Sequence, residues 1–451
     1  MSERVETPRT ATPVRLSRKP GPGERARGVP EGARTACIRT FGCQMNVHDS
    51  DRMRRMILDA GYAEVQSYEE ADLVILNTCY VRENAVDRVR GHLGELNRLR
   101  REGRVKKVAL TGCIGASAES SQLQRQYGID LMLGTHNTYE LAEFVGLPTM
   151  RETYTPDLPG TEGEHSAFVT IMTGCNYQCS YCIVPTVRGR MVCRPMRNVL
   201  EEIERLVESG TSYVTLLGQT VDAWRHDGKR FCDLLERVAD AAPRVWFTTS
   251  HPSNMEDRTL RLIGNRETIV KRVHLPVQSG SDRMLRIMHR GYKAERYRRK
   301  IEVFREAVPD GTLSTDIIVG HPGETEEDHV QTLKLVKDCG FDSAYIFKFS
   351  PREGTEAAEL GDSVPADVVQ RRFLEVLRAV EQNALTRNQR KVGKVEEIYV
   401  RHGSTEDGKA IGETWSGHAV HVRAGAKAGE YVKARIESAG PHVLYAGEPI
   451  T

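Results

Sequence analysis

Three cysteines share one short stretch of the sequence: Cys175, Cys179 and Cys182, with the spacing C-x3-C-x2-C. Three thiolates on one loop can ligate three irons of a cubane cluster and leave the fourth iron open. S-adenosylmethionine (SAM) can chelate that iron, and one electron then splits its sulfonium to give a 5′-deoxyadenosyl radical. A structural zinc site is the alternative, and it needs a fourth ligand from elsewhere. The spacing therefore predicts radical chemistry, with Tyr181 packed against the cluster, against the SAM adenine or simply in the core.

Three further cysteines, Cys43, Cys79 and Cys113, each follow a segment that reads as a β-strand. The carboxyl ends of parallel strands lie along one edge of a sheet, so these distant thiols can converge. A second metal site and a set of buried, inert thiols are both compatible with this pattern, because buried cysteine behaves as a small hydrophobe. No metal-ligand spacing links the other four, which are Cys37, Cys193, Cys232 and Cys339.

The composition is that of an ordinary globular protein, with 451 residues, 39% hydrophobic residues, 28% charged residues and a net charge of +2. No apolar run of about 18 residues occurs, so we expect no membrane span. Ten cysteines are too sparse for a disulfide scaffold and no secretory signal is visible, so we expect a cytoplasmic protein. Residues 1–34 lack large apolar side chains and are predicted to be a disordered tail.

Strands alternate with helices along residues 35–147, which predicts a Rossmann-like N-terminal α/β domain with a mostly parallel sheet. Prolines and glycines indicate a linker over residues 148–166. A second alternation over residues 167–390 predicts a partial TIM-type barrel, whose site would lie at the carboxyl ends of its strands. Its six strands are expected at residues 168–172, 213–217, 245–249, 273–277, 313–319 and 344–349. Short strands in residues 391–451 predict a small OB-like β-barrel.

Several stretches resemble one family in collinear order, over residues 36–447. They are residues 40–46, 77–85, the cysteine loop continuing to Pro185, and residues 216–219, 274–281 and 314–320. The chain resembles the MiaB family of tRNA-2-methylthio-N6-dimethylallyladenosine synthases, which are radical SAM methylthiotransferases. Thr186 and Val187 replace the Tyr-Thr usual in the family, and His321 replaces an aromatic residue, which leaves the substrate contacts open.

The resemblance implies a second 4Fe–4S cluster on Cys43, Cys79 and Cys113, so that all six cysteines would be ligands with catalytic roles. It also implies a C-terminal TRAM domain that grips tRNA. The family adds a methylthio group to carbon 2 of N6-isopentenyladenosine at position 37, next to the anticodon, and consumes two SAM molecules. The other implied partner is a reduced flavodoxin or ferredoxin-type electron donor, and the implied enzyme is a monomer.

The same resemblance implies SAM-binding positions at the ends of barrel strands. Gln219, after Gly218, would meet the SAM amino group, and Gly320 would let backbone approach the adenosyl moiety. Gln278 would bind SAM or position the target base. Tight turns are the alternative for the glycines, and a surface side chain is the alternative for Gln219.

Three basic clusters, in residues 98–107, 283–300 and 387–394, are candidates for contacts with tRNA phosphates. A solvated helix face is the alternative for each cluster. Other functions also stay open: methylthiolation of an aspartate in a ribosomal small-subunit protein, methylthiolation of threonylcarbamoyladenosine in tRNA, and a zinc-stabilised RNA-binding protein without redox chemistry.

Overall fold

The computed structural model describes residues 32–80, 83–135, 137–148, 165–361, 363–403, 409–423 and 426–450. Residues 1–31 of the predicted tail and 149–164 of the predicted linker lie outside these ranges, and Arg34, placed in the predicted tail, instead begins the first strand. Contacts divide the chain into two units, Met1–Pro159 with Val184–Gly189, and Gly160–Ile183 with Arg190–Thr451. None of the helices in the described ranges is long and apolar enough to cross a membrane.

The first unit is built on a five-stranded parallel sheet with the strand order β2-β1-β3-β4-β5. Its strands and helices are β1 Arg34–Thr40, α1 Gln44–Asp59, β2 Tyr62–Glu64, β3 Leu73–Thr78, α2 Glu83–Arg101, β4 Lys107–Gly112, α3 Ser120–Tyr127, β5 Leu131–Met132 and α4 Glu140–Val145. Strand β3 is buried at all six positions, as expected for a sheet covered on both faces. Met53, Met56 and Ile57 pack the apolar face of α1 against this core.

The predicted α/β organisation of this unit is confirmed, and two edge strands differ from the expectation. The element predicted within residues 129–133 is a strand of only two residues, β5. Strand β2 has three residues and was not predicted. Strands this short carry too little alternation of apolar and polar residues to be recognised from sequence.

The second unit begins with a barrel made of two three-stranded parallel sheets, with the orders β12-β9-β6 and β13-β14-β15. Its elements, with helix α5 that belongs to the first unit, are β6 Ser166–Thr170, β7 Met172–Thr173, α5 Val184–Arg188, β8 Val192–Cys193, α6 Met196–Glu208, β9 Tyr213–Leu217, β10 Arg225–His226, β11 Lys229–Arg230, α7 Phe231–Ala241, β12 Val245–Phe247, α8 Asp257–Asn265, β13 Arg272–His274, α9 Asp282–Ile287, α10 Ala294–Ala307, β14 Thr312–Val319, α11 Glu326–Cys339, β15 Ser343–Lys348, α12 Glu356–Glu359 and α13 Ala366–Gln389. The six barrel strands are the predicted six, so the partial TIM-type barrel is confirmed.

Each barrel strand divides its side chains between an outer and an inner face. In β14, Leu313, Ile317 and Val319 are fully buried in the large core that also includes apolar residues of the surrounding helices. Asp316 and Ile318 alternate with them on the opposite face, where Ile318 packs with Met284 and Met288. This packing fixes the strand ends, and hence the loops that follow them, on a rigid scaffold.

The C-terminal part of the second unit is a closed five-stranded barrel with the order β16-β17-β18-β20-β19. Its strands are β16 Val395–His402, β17 Lys409–Thr414, β18 Ala419–Arg423, β19 Tyr431–Ala439 and β20 Leu444–Ala446. The small β-barrel is therefore confirmed, but strand β17 was not predicted. Gly412 interrupts its pattern, and a Cβ there would lie 2.6 Å from the Tyr399 carbonyl oxygen. The close approach of two strands requires glycine at this position. Because glycine has no side chain, it breaks the alternating pattern by which a strand is recognised from sequence.

A buried carboxylate joins this β-barrel to the larger barrel. Glu413 of β17 lies 3.2 Å from Arg244, 3.0 Å from Arg272 and 3.0 Å from Arg401. The Arg244 guanidinium also lies 4.4 Å from the centre of the Trp415 ring. Arg244 and Arg272 stand at the start of β12 and β13, so the small barrel docks at the amino ends of the strands. The cysteine loop follows the carboxyl end of β7, at the other end of the barrel.

Candidate functional site

In the first unit, the predicted cysteines follow three strands that are neighbours in the sheet. Cys43 comes after β1 and precedes helix α1, Cys79 follows β3, and Cys113 follows β4. Cys43 is exposed, whereas Cys79 and Cys113 are 3% and 2% exposed. Cys79 and Cys113 are hydrogen-bonded to each other. The sheet therefore brings these thiols to one edge, as the strand-end positions predicted.

A network of side chains ties the end of β3 to the residues after β1, and the Thr78 hydroxyl donates to the Thr111 carbonyl of β4 at 2.6 Å. The Asn46 side chain donates to the Asn77 side chain at 3.0 Å and to the Thr78 carbonyl at 3.1 Å. Asn77 returns a hydrogen bond to the Asn46 carbonyl at 2.7 Å, and the Cys43 thiol donates to Asn46 at 3.4 Å. The Asn46, Asn77 and Thr78 side chains are all buried. Buried amides that satisfy each other hold a single geometry, so this network fixes where the thiols stand.

Two glycines let the strand ends approach. Gly112 has a φ of +92°, and a Cβ there would lie 2.3 Å from the Thr78 carbonyl oxygen. Gly42 has a φ of +147°, and a Cβ there would lie 2.8 Å from that of Cys79. Both precede a candidate ligand directly, so any side chain at these positions would displace a cysteine.

An arginine that sequence reasoning missed lies beside this triad. Arg188, at the end of α5, is buried, is hydrogen-bonded to Cys113 and lies 3.5 Å from Asp49. The hydrogen bond to Cys79, together with the charge and hydrogen bond of Arg188, outweighs burial and lowers the pKa of the Cys113 thiol to about 6. Thiolates, not thiols, are metal ligands. The local chemistry therefore favours the ligating form of Cys113.

In the second unit, Cys175, Cys179 and Cys182 lie on the loop after β7. Gly174 starts the loop with a φ of +76°. The Cys182 amide donates to the Cys179 carbonyl at 2.9 Å, and the Cys175 thiol lies 3.5 Å from the Thr220 hydroxyl. Cys179 is buried, and the other two cysteines are partly exposed.

An aromatic stack and the hydrogen bonds behind it hold this loop against the barrel. Tyr177 stacks on His251, with ring centroids 3.8 Å apart. Both carboxylate oxygens of Asp222 accept from the His251 amide, at 3.0 and 2.9 Å. Burial lowers the pKa of His251 to about 2, helped by nearby Arg290 and Arg296, so this ring is neutral. Burial also raises the pKa of Asp222 well above its usual range. Neither carboxylate nor imidazole was singled out from sequence.

Tyr181, the predicted cluster or adenine neighbour, packs in a small group with Met284, Met288 and Ile318. Its ring meets that of His321 edge to face, with centroids 6.4 Å apart. Its hydroxyl lies 3.5 Å from Arg290. Tyr181 thus lies at the carboxyl ends of the strands, beside His321.

The predicted SAM-binding residues occupy strand ends of the same barrel. Among the residues that the structure describes, none hydrogen-bonds the buried side-chain oxygen of Gln219, which is what a site for a ligand donor would show. Gln278 is buried with a φ of +71°, a strained conformation for a residue with a side chain. A Cβ on Gly218 would lie 2.6 Å from Met172, and one on Gly320 would lie 2.4 Å from Val369. Close packing therefore explains why glycine stands at both positions, without a contact to SAM.

The donor atoms fit an iron–sulfur cluster. Each triad offers three thiols, the ligand type of 4Fe–4S clusters, and a buried arginine stands beside each. Among the residues that the structure describes, no three cysteine, histidine or acidic side chains surround a point suited to one metal ion. A cubane does not need such a point, because each thiolate ligates a different iron. Gln219 offers an acceptor for the ammonium group of SAM.

The basic clusters are only partly available to RNA. Arg290 and Lys391, which the sequence placed among candidate phosphate contacts, are buried, so the prediction is wrong for these two. Others form ion pairs within the chain: Arg100 with Asp130, Lys300 with Asp257 and Arg387 with Asp342. Exposed cations remain in each cluster, among them Arg101, Arg104, Arg286, Lys293, Arg299, Arg390 and Lys394.

Two family profiles match the chain and cover the two cysteine triads separately. A profile described as uncharacterized protein family UPF0004 matches residues 35–134, which contain Cys43, Cys79 and Cys113. The Radical SAM superfamily profile matches residues 169–336, which contain the C-x3-C-x2-C loop.

Solved radical SAM enzymes share the fold. The radical SAM methyltransferase TsrM from Kitasatospora setae, with cobalamin and a 4Fe–4S cluster bound, aligns with a TM-score of 0.52 at 15% identity, over 72% of this chain and 77% of that chain. The cobalamin-dependent SAM radical enzyme OxsB aligns with a TM-score of 0.51 at 10% identity, over 76% of this chain and 56% of that chain.

Relatives named tRNA-2-methylthio-N(6)-dimethylallyladenosine synthase match nearly the whole chain. A protein of Thermus thermophilus is 41% identical over 433 residues, covering 93% of this chain and 92% of its own length. That of Acidothermus cellulolyticus is 39% identical over 442 residues, covering 93% and 89%. One of Mycobacterium tuberculosis is 37% identical over 457 residues, covering 94% and 83%. With both cysteine triads inside this match, the chain belongs to the tRNA-2-methylthio-N(6)-dimethylallyladenosine synthase family.

Proposed function

We propose that this radical SAM enzyme adds a methylthio group to carbon 2 of N6-isopentenyladenosine at position 37 of tRNA. The observation that carries the proposal is the full-length similarity, at about 40% identity, to synthases named for this modified nucleoside. Those names favour it over the aspartate and threonylcarbamoyladenosine alternatives. The carbon–hydrogen bond at carbon 2 is not acidic enough for a side-chain base, which fits a radical enzyme.

The loop cysteines Cys175, Cys179 and Cys182 are the proposed ligands of the cluster that binds SAM. When bound there, cluster and SAM together would supply a carbon radical able to take the hydrogen from carbon 2. The chain itself would hold the SAM amino group on Gln219, whose buried oxygen has no hydrogen-bond partner within the described ranges. Tyr181 and the residues packed on it would shield the loop, because stray water and hydrogen donors quench radicals.

Cys43, Cys79 and Cys113 are the proposed ligands of a second 4Fe–4S cluster, which would supply or hold the sulfur. Their convergence on adjacent strand ends supports this role, as does the lowered pKa of Cys113. Two clusters and the consumption of two SAM molecules belong to this proposal.

The proposal also includes SAM contacts by Gly218, Gln278 and Gly320. It places the domain boundaries at residues 147, 166 and 390.

The tRNA would be held mainly through its phosphates. The C-terminal β-barrel, which we assign as a TRAM domain, carries exposed Lys394, Lys433 and Tyr431. Such a surface combines cations for phosphates with an aromatic ring on which a base can stack. A reduced flavodoxin or ferredoxin as donor, a monomeric state and a cytoplasmic location complete the proposal.

Deletion of the encoding gene is expected to remove the methylthio group from tRNA and leave the isopentenyl group in place. Mass spectrometry of nucleosides from digested tRNA would show 2-methylthio-N6-isopentenyladenosine replaced by N6-isopentenyladenosine. Complementation with the wild-type gene should restore the methylthio nucleoside, and complementation with Cys175→Ala should not. A deletion strain that keeps its methylthio-isopentenyladenosine, or loses a methylthio group from another nucleoside, would contradict the proposal.

A further inference from the structure

The turn after helix α9 lies directly on the cysteine loop of the second unit. The Ser180 amide donates to the Met288 carbonyl at 3.3 Å, and the His289 ring lies 3.2 Å from the Gln178 carbonyl. His289 has a φ of +54°, which costs energy for a residue with a side chain. A strained backbone conformation persists only where the surrounding structure enforces it. Here the conformation of His289 directs the following residue, Arg290, toward the cysteine loop.

The side chain of that next residue, Arg290, contacts the cysteine loop and the residues after strand β13. One terminal nitrogen lies 3.4 Å from the Cys179 sulfur and 3.5 Å from the Tyr181 hydroxyl. The other donates to the Pro276 carbonyl at 2.8 Å, and Nε donates to the Tyr292 hydroxyl at 3.2 Å. Arg290 is 4% exposed. Its guanidinium is therefore held in one orientation with a hydrogen bond directed at a cysteine sulfur.

Among the described residues, Arg290 differs from the other buried arginines because it forms no ion pair with a carboxylate. Three of the four buried arginines among the described residues pair with a carboxylate: Arg188 with Asp49, Arg244 with Glu413 and Arg372 with Glu324. No such ion pair is found for Arg290 in the described part of the chain. An unpaired buried cation is costly, so a nearby anion is expected to balance it. The Cys179 sulfur lies within hydrogen-bond reach of the Arg290 guanidinium, and as a thiolate ligand of a cluster it would be that anion.

We propose that Arg290 is a positioning residue that provides the fixed counter-charge for the Cys179 thiolate and raises the reduction potential of the cluster held there. The inference rests on the cluster assigned above to Cys175, Cys179 and Cys182. Reduction adds one electron to that group, and no compensating charge leaves the site. A fixed cation and a hydrogen bond to a ligand sulfur stabilise the more negative, reduced state. Arg290 would thus ease electron entry from a flavodoxin or ferredoxin-type donor.

A redox titration followed by electron paramagnetic resonance tests this role. It uses the reconstituted full chain without tRNA, poised with dithionite, and reads the signal that SAM addition alters. Arg290→Met is expected to lower the reduction equilibrium constant at least tenfold, a shift of about 59 mV to more negative potential for one electron. The reduction potential of Arg290→Lys, which keeps the charge, should lie between those of the wild type and Arg290→Met. Arg261→Met removes an exposed arginine of α8 and should leave the potential unchanged.

A wild-type potential in an Arg290→Met protein with full iron content would overturn the proposal. If that variant takes up no iron, Arg290→Gln and Arg290→Lys are compared instead, and equal potentials in these two would overturn it. A wild-type protein without any iron–sulfur signal would refute the proposed function itself. A protein with the signal but another RNA product would leave the Arg290 result standing.

Discussion

Replacing Cys179 with alanine is expected to abolish both SAM cleavage and methylthiolation. The variant loses a buried ligand thiol and leaves Arg290 without its counter-charge. Loss of a residue that only supports a metal ligand typically costs about 10–100-fold in metal affinity or activity, so loss of a ligand should cost at least about 100-fold. Chromatography of 5′-deoxyadenosine formed under reducing conditions measures the first activity, and nucleoside analysis of the tRNA measures the second.

Cys113→Ala is the informative counterpart, because it removes a thiol of the other triad. It should retain cleavage of SAM to 5′-deoxyadenosine and lose methylthiolation. Cys232→Ala is the matched control, since it removes a buried thiol that belongs to neither triad and should retain both activities. Full methylthiolation by Cys113→Ala would refute the role proposed for the triad of the first unit.

Glu413→Ala is expected to destabilise the second unit strongly. It would leave Arg244, Arg272 and Arg401 facing one another without their shared carboxylate. Removing one partner of a buried ion pair typically costs about 3–5 kcal/mol. Two of the three tryptophans, Trp246 and Trp415, contact these arginines, so the intrinsic fluorescence of a urea titration reports on this interface.

Glu397→Ala is the matched control for this prediction, because it removes an exposed glutamate from strand β16 of the same barrel. Its effect should stay within about 0.5 kcal/mol. An equal, small effect of both substitutions would show that Glu413 does not join the two barrels.

The stabilising effect of Glu413 should also depend on pH. Burial opposes ionisation of this carboxyl, but Arg272, Arg401 and Arg244 outweigh burial and lower its pKa from 4.5 to about 2. A carboxyl whose pKa is lowered by folding contributes its full stability above the unfolded value. In the metal-free protein this contribution should be lost as the pH falls from 4.5 to about 2, and Glu413→Gln should lack that loss.

The sequence was sufficient for features that depend on local pattern. Cys43, Cys79 and Cys113 could be placed at strand ends because each follows a run of strand residues. The six barrel strands could be recognised for the same reason. Strand β17 could not, because Gly412 replaces a side chain where two strands approach closely.

Contacts between residues that are far apart along the chain could not be predicted from the sequence. Arg290 stands among exposed cations along the chain, and nothing local distinguishes it from a phosphate contact. Its partner Cys179 is 111 residues away, and only the fold brings the two together. Asn46 and Asn77 lie within recognised motifs, yet their mutual hydrogen bonds, and therefore their role in placing the thiols, became visible only in the structure.

The direct test of two cluster-binding triads is iron and sulfide analysis after anaerobic reconstitution of the full chain. The wild-type protein should bind about eight irons and eight sulfides, as two 4Fe–4S clusters require. The triple alanine variants of either triad should each bind about four of each. Bound zinc without sulfide, or a wild-type content that neither triple variant reduces, would contradict the assignment of both sites.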